Sequence, residues 1–102
     1  EGFGVLTRID VKATLKEKLG VDMLPFVILG ACNPPLAHRA IEAEPSVALL
    51  LPCNVVVRDL GGGSTRVEAI NAAAMAAMFP EAGLSPVADE VGERLARVIA
   101  AV

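Results

Sequence analysis

Tryptophan and tyrosine are absent from this chain of 102 residues, phenylalanine occurs three times and histidine once. A core must therefore be built from aliphatic side chains, and the aromatic platforms that stack single-stranded nucleic acid are excluded. Basic charge is also short. Nine Lys and Arg against twelve Asp and Glu leave a net charge of −3, which provides no overall footprint for a phosphate backbone. No uncharged apolar window reaches the length of about eighteen residues that a membrane-spanning helix needs, because Arg39, Glu42, Glu44 and Arg58 bracket the most hydrophobic stretch. A soluble chain with neither nucleic-acid nor membrane partners is expected. Gly-x-Ser-x-Gly, a Walker loop and Gly-x-Gly-x-x-Gly are all missing, and the carboxylates are scattered without forming an acid and base pair, so hydrolytic chemistry finds no motif. Two cysteines are too few for a disulfide scaffold, and by default they indicate a reducing, cytoplasmic compartment.

What is present is 54% hydrophobic content, enough for one core in one domain over residues 1–102. Phe3, Val5, Thr7 and Ile9 alternate with Gly4, Leu6 and Arg8, the period-two pattern of a half-buried strand. Asp10 is a good N-cap for a short helix with Val11, Leu15 and Leu19 on its stripe and Gly20 at its stop, and Lys12, Lys16 and Lys18 form its solvated face. Leu24 to Ala31 reads as a strand buried on both faces. Asn33 and Pro34 start a helix to about Ala43, ended by Glu44-Pro45. The apolar run Val47 to Leu60 predicts a strand with a bulge or edge position at Pro52-Cys53, and Val55 to Ile70 predicts a hairpin turning on Gly61-Gly62-Gly63. Asn71 caps an alanine-rich helix through Met78, Pro80 to Gly83 is a turn, and Ser85-Pro86 opens a last helix with Val87, Val91, Leu95, Val98 and Val102 on one stripe. This order predicts an α+β domain, a mainly antiparallel sheet with helices on one face. The other face leaves an apolar patch that fits a second copy, so a homodimer is expected.

Two echoes carry the chemistry: Leu29-Gly30-Ala31-Cys32-Asn33-Pro34-Pro35 and Leu49-Leu50-Leu51-Pro52-Cys53-Asn54. Each ends an apolar run at a cysteine followed by asparagine, and His38 is the lone imidazole nearby. Cys32 sits where a strand becomes a helix, an end whose partial positive charge lowers a thiol's pKa and suits a small anion. With Cys53 on a neighbouring strand, the sulfurs could form a reversible disulfide or, joined by His38, a three-ligand site for Cu(I) or Zn(II). Simple packing competes with all of these, because free cysteine behaves as a small buried hydrophobe.

The run from Leu29 to Ala40 and the run from Leu49 to Val57, together with Lys16-Glu17-Lys18-Leu19-Gly20, resemble the prokaryotic family catalogued as domain of unknown function 302. The resemblance implies a TATA-binding-protein-like arrangement, a curved antiparallel sheet with a long helix against it, which does not imply DNA binding. It also implies that an N-terminal strand and most of a first helix are missing, since the chain opens on Glu1-Gly2-Phe3 where that helix should be ending. The expected function is a small homodimeric binding module with a ligand or metal site at the Cys32/Asn33 helix entrance, with His38, Cys53 and Asn54 as further candidates. The competing expectation is a thiol redox or sulfur-transfer protein using Cys32 and Cys53.

Overall fold

The computed structural model describes residues 2–79 and 83–101. Four antiparallel strands stand in the order β1 (Gly4–Asp10), β2 (Phe26–Cys32), β3 (Cys53–Gly61) and β4 (Ser64–Ala69). Helix α1 (Val11–Leu19) separates the first two strands, α2 (Pro34–Ala43) and a 3₁₀ helix (Pro45–Leu50) separate the next two, and α3 (Ala73–Met78) and α4 (Ser85–Ala100) follow the sheet. This is the expected α+β architecture, a curved antiparallel sheet with helices. Among the described residues no helix is long and apolar enough to cross a membrane.

Local signals set most of the element ends. The Asp10 carboxylate accepts from Ala13 N–H at 2.9 Å, and Gly20 closes α1 by donating to Lys16 O at 2.9 Å. Asn71 Oδ1 accepts from Ala73 N–H at 3.0 Å where α3 begins. The β3–β4 hairpin turns through Gly61, Gly62 and Gly63, all with positive φ, a conformation costly for any residue with a Cβ.

Cross-strand partners share a face of the sheet, so the register Ala31↔Cys53, Leu29↔Val55 and Val55↔Ala69 defines the side that the helices cover. Cys53 joins Leu36 and Ala40 of α2, Val47 of the 3₁₀ helix, Ala72, Leu84, and Val87, Val91 and Leu95 of α4 in one buried core. Val87, Val91 and Leu95 recur every four residues, which turns the apolar stripe of α4 inward. Val98 of the expected stripe is only half-buried, and Val102 and the turn residues Pro80 to Ala82 lie outside the described residues.

Three expectations are corrected. Residues 45–50 are 3₁₀ helix and not strand: Pro45 starts it, Glu44 Oε1 accepts from Ser46 N–H at 3.1 Å, and Leu51-Pro52 is a cis peptide. A 3₁₀ helix eclipses i and i+3, so Val47 is fully buried and Leu50 packs on the core while Leu49 is 84% exposed. The expected bulge or edge position at Pro52-Cys53 is absent, since Pro52 precedes β3 and β3 lies inside the sheet, and the register shifts stand instead between Val5 and Thr7 and between Asp59 and Gly61. Finally, β1 is not half-buried. Val5, Leu6 and Ile9 are exposed, and the α1 stripe is at most half-buried, at Val11 and Leu15, with Leu19 69% exposed. The reason is position: β1 is an edge strand with a bulge, and residue alternation specifies a face without specifying that anything covers it.

Candidate functional site

The site is built where β2 runs into α2. Asn33 leaves the strand with extended backbone (φ −104°, ψ 102°) and caps α2, its Oδ1 accepting from Leu36 N–H at 3.3 Å. Its carbonyl accepts from Ala37 N–H at 2.9 Å. Pro34 and Pro35, the first two helical residues, have no N–H to offer. Three of the four donor positions that open a helix, Pro34, Pro35 and Leu36, thus offer nothing to an oxyanion, while the α2 entrance retains the positive end of its dipole.

Directly beside this turn lies a small, mainly apolar cavity of ≈ 20 Å³, room for about one water, its walls including Phe3, Cys32, Asn33, Leu36, Cys53 and Val91. Cys53 is buried, Cys32 is half-buried, and both are free thiols. The ladder ends at Ala31↔Cys53, so Cys32 is one residue further along β2 and strand alternation turns its side chain to the face opposite Cys53. Strand spacing and rise put their Cα atoms about 6 Å apart, but side chains that leave opposite faces are not placed for a disulfide. Burial pushes the Cys53 thiol above its ordinary value of 9.0, and Cys32 beside it pushes it further the same way. Cys53 is therefore protonated at neutral pH.

Two of the other expected residues are placed elsewhere. His38 points into solvent with 75% of its side chain exposed and contacts Glu42 one turn along α2 at 3.2 Å. It is not brought to the sulfurs, because four further residues of helix carry it past the turn that holds Cys32. The triad Cys32, Cys53 and His38 is thus not assembled, and among the described residues no three His, Cys, Asp or Glu side chains group closely enough to hold a metal. Asn54 is exposed, and strand alternation turns it to the face opposite Cys53.

Sequence reasoning missed three participants. Gly30 pairs with Thr7 and Asn54, and a Cβ there would stand 2.7 Å from Pro52 Cγ and collide with Thr7 Oγ1. The missing side chain lets the Pro52 ring fold over β2, which sets where β3 and Cys53 begin. A glycine inside a strand was the available signal. Phe3 packs on the core edge and lines the pocket. Arg94 is the third: Asn33 Nδ2 and Arg94 Nη1 lie 2.9 and 3.4 Å from the point where a Gly2 Cβ would stand, so the amide and the guanidinium are neighbours. Arg94 also meets Glu90 at 3.1 Å, and Glu90 meets Arg39 of α2 at 3.4 Å, tying α4 to α2 above the core.

The family model for the domain of unknown function DUF302 matches residues 1–102. The chain belongs to the DUF302 family. A crystal structure of an uncharacterized conserved DUF302 protein from Bacillus stearothermophilus is similar, with a TM-score of 0.85 at 34% identity, over 96% of this chain and 76% of that one. No curated protein matches. For this DUF302 domain the fold is shared with a solved relative, and the chemistry rests on its own residues.

Proposed function

We propose that this DUF302 domain is a binding module whose site is the pocket at the β2–α2 junction, where a small apolar ligand meets the Cys53 sulfur and the Asn33 amide. The observation that carries the reading is that buried Cys53, the buried Asn33 and the β2 end at Cys32 line one apolar pocket under the helices. Concave, mainly apolar sites with a few fixed polar groups are the usual form of small-ligand sites. The lack of a donor at Pro34, Pro35 and Leu36 of the α2 entrance weighs against a small anion. A thiol-exchange reading rests on the same sulfurs, but a buried and protonated Cys53 is a poor attacking thiol, which favours binding over redox turnover.

The test is amide NMR of the folded domain against a set of low-mass apolar fragments. Shifts are expected to cluster at Ala31, Asn33, Ala37, Cys53 and Val91 and to vanish in Ala37→Leu, which fills the pocket. Shifts scattered over the surface, or none, overturn the reading.

We further infer that a second copy covers the β1 edge. The chain exposes 6350 Å², whereas a compact monomer of 10.5 kDa exposes about 5,400 Å². The excess of about 900 Å² is close to the area each partner contributes to a standard interface. The radius of gyration, 15.3 Å, likewise exceeds the value of about 13 Å for this length. Val5, Leu6 and Ile9 supply the apolar surface, and the bulge between Val5 and Thr7 makes side-chain packing the mode of contact instead of a continuous sheet. Light scattering after gel filtration is expected to give a dimer that Leu6→Glu converts to monomer. A monomer at every concentration up to millimolar refutes this.

A further inference from the structure

β4 forms the second edge of the sheet, remote from β1: among the described residues it has β3 on one side and no strand on the other. Ile70 N–H donates to Asn54 O at 3.3 Å. Bonding alternates along an antiparallel strand, so Arg66 and Glu68 also turn their backbone groups toward β3, while Thr65, Val67 and Ala69 turn theirs outward. The side chains divide in the same way. Val67 and Ala69 lie on the helix-covered face, over an open groove of ≈ 480 Å³ whose other wall includes Ala96, Ile99 and Ala100 of α4. Arg66 and Glu68 lie on the opposite face, where Glu68 meets Arg58 at 3.0 Å and Arg66 stands directly across from Arg58 with no ion pair of its own among the described residues. We propose that the β4 edges of two copies pair antiparallel about a two-fold axis at Val67, each Arg66 standing opposite the partner's Glu68.

Charge selects this register. Antiparallel pairing that keeps both helix layers on one side of a continuous sheet sets the outward-facing residues of one copy against those of the other. Centred on Val67, it joins Val67 to the partner's Val67 and Thr65 to the partner's Ala69, so every outward backbone group finds a partner, and both Arg–Glu cross-strand pairs are of opposite sign. A slip to either side brings Arg66 against the partner's Arg66 or Glu68 against the partner's Glu68, and like charges directly opposite are destabilising. Charges on an edge strand ordinarily deter pairing; here they leave one register open to a second copy. β4 carries no proline, and the irregularity of its ladder lies between Asp59 and Gly61, toward the hairpin turn. The two-fold axis stands perpendicular to the sheet, so both α4 helices lie on the same face and the two apolar grooves meet beneath the paired Val67 side chains. A single short strand covers less than the roughly 800 Å² that each partner gives to a standard interface. The β4 contact is therefore weaker than the β1 contact, fills at higher concentration and does not compete with it for surface.

The experiment is amide hydrogen exchange, read residue by residue on the folded wild-type chain at about 50 μM and at about 1 mM. The outward amides of Thr65, Val67 and Ala69 are expected to exchange at least threefold more slowly at the higher concentration, whereas those of Arg66 and Glu68, already bonded to β3, are protected at both. This comparison needs no variant to fold. Arg66→Glu and Glu68→Arg should each abolish the slowing, and an equimolar mixture of the two variants should restore it, because in the mixed pair both cross-strand contacts are again of opposite sign. Leu6→Glu should retain the slowing, which separates this edge from β1. No concentration dependence in the wild type, slowing that survives either single reversal, a mixture that stays unprotected, or loss of the effect in Leu6→Glu overturns the inference. The pocket reading and the β1 contact stand or fall by their own tests.

Discussion

Asn33→Ala probes the turn on which the site depends. In the native domain the Asn33 side chain is 6% exposed and its Oδ1 holds Leu36 N–H at 3.3 Å in a buried hydrogen bond. Replacing an N-cap asparagine by alanine costs about 1 kcal/mol. Leaving a buried donor unmatched costs about 1–3 kcal/mol, and because both figures concern the same N–H they overlap. The expected loss is therefore about 2 kcal/mol, equivalent to a fall in Tm of about 10 °C for a domain of this size. In urea, with m of about 1–1.5 kcal/mol/M, the midpoint should drop by about 1.5 M at unchanged m. Asn33→Ser restores an acceptor oxygen at the cap and should recover more than half of that loss. Equal losses in Ala and Ser variants, or a loss below about 0.5 kcal/mol in Asn33→Ala, would refute the assignment of the cap as the element that holds the β2–α2 turn.

Gly30→Ala should destabilise by about 1–3 kcal/mol in denaturant melts, because the new methyl meets the rigid Pro52 ring; a neutral result would show that Pro52 does not rest on β2. Leu36→Ala, which empties a core position 3% exposed, should cost about 2–5 kcal/mol, and a smaller loss would mean the pocket wall collapses around the gap. The Cys53 thiol gives a pH signature. Its folded pKa is raised, so the native state holds the proton more tightly than the unfolded chain. The associated stability is complete below the thiol's ordinary value of 9.0 and is lost as pH rises through the folded value. Urea midpoints should therefore fall more steeply with pH above that point in the wild type than in Cys53→Ala, and parallel curves would remove the shift. Glu90→Gln should cost under about 1 kcal/mol, since its contacts with Arg39 and Arg94 are partly exposed, and the loss should shrink in high salt.

The parts of the fold that sequence reading reached are those decided by neighbouring residues. Asn33-Pro34 opens α2 as expected because an acceptor side chain followed by a residue without N–H satisfies a helix start locally. The Gly61–Gly63 hairpin and the stripe of α4 follow for the same reason. Residues 45–50 were not legible as a 3₁₀ helix, since Val47 to Leu51 is apolar at nearly every position and a continuous run has no period to read. The exposure of β1 was equally hidden, because alternation around Val5 and Thr7 says nothing about a bulge or an edge.

The candidate site divides along the same line. The Cys32–Asn33 turn could be read locally, whereas the approach of Cys53 depends on β2 and β3 pairing with Ala31 opposite Cys53. His38 and Asn54 drew attention by residue type alone. A helix turn carries one away from the sulfurs and strand alternation carries the other, and both effects appear only once element boundaries are fixed. Gly30 shows the converse, a residue without functional groups whose vacancy admits the Pro52 ring beside Cys53.

The most direct measurement of the central claim is iodoacetamide alkylation of the native domain, followed at each cysteine in the peptide map. The account predicts that half-buried Cys32 is labelled in the folded chain while buried Cys53 is labelled only on unfolding in urea. Labelling of Cys53 as fast as Cys32 in the folded chain would contradict its place in the pocket wall beneath the helices.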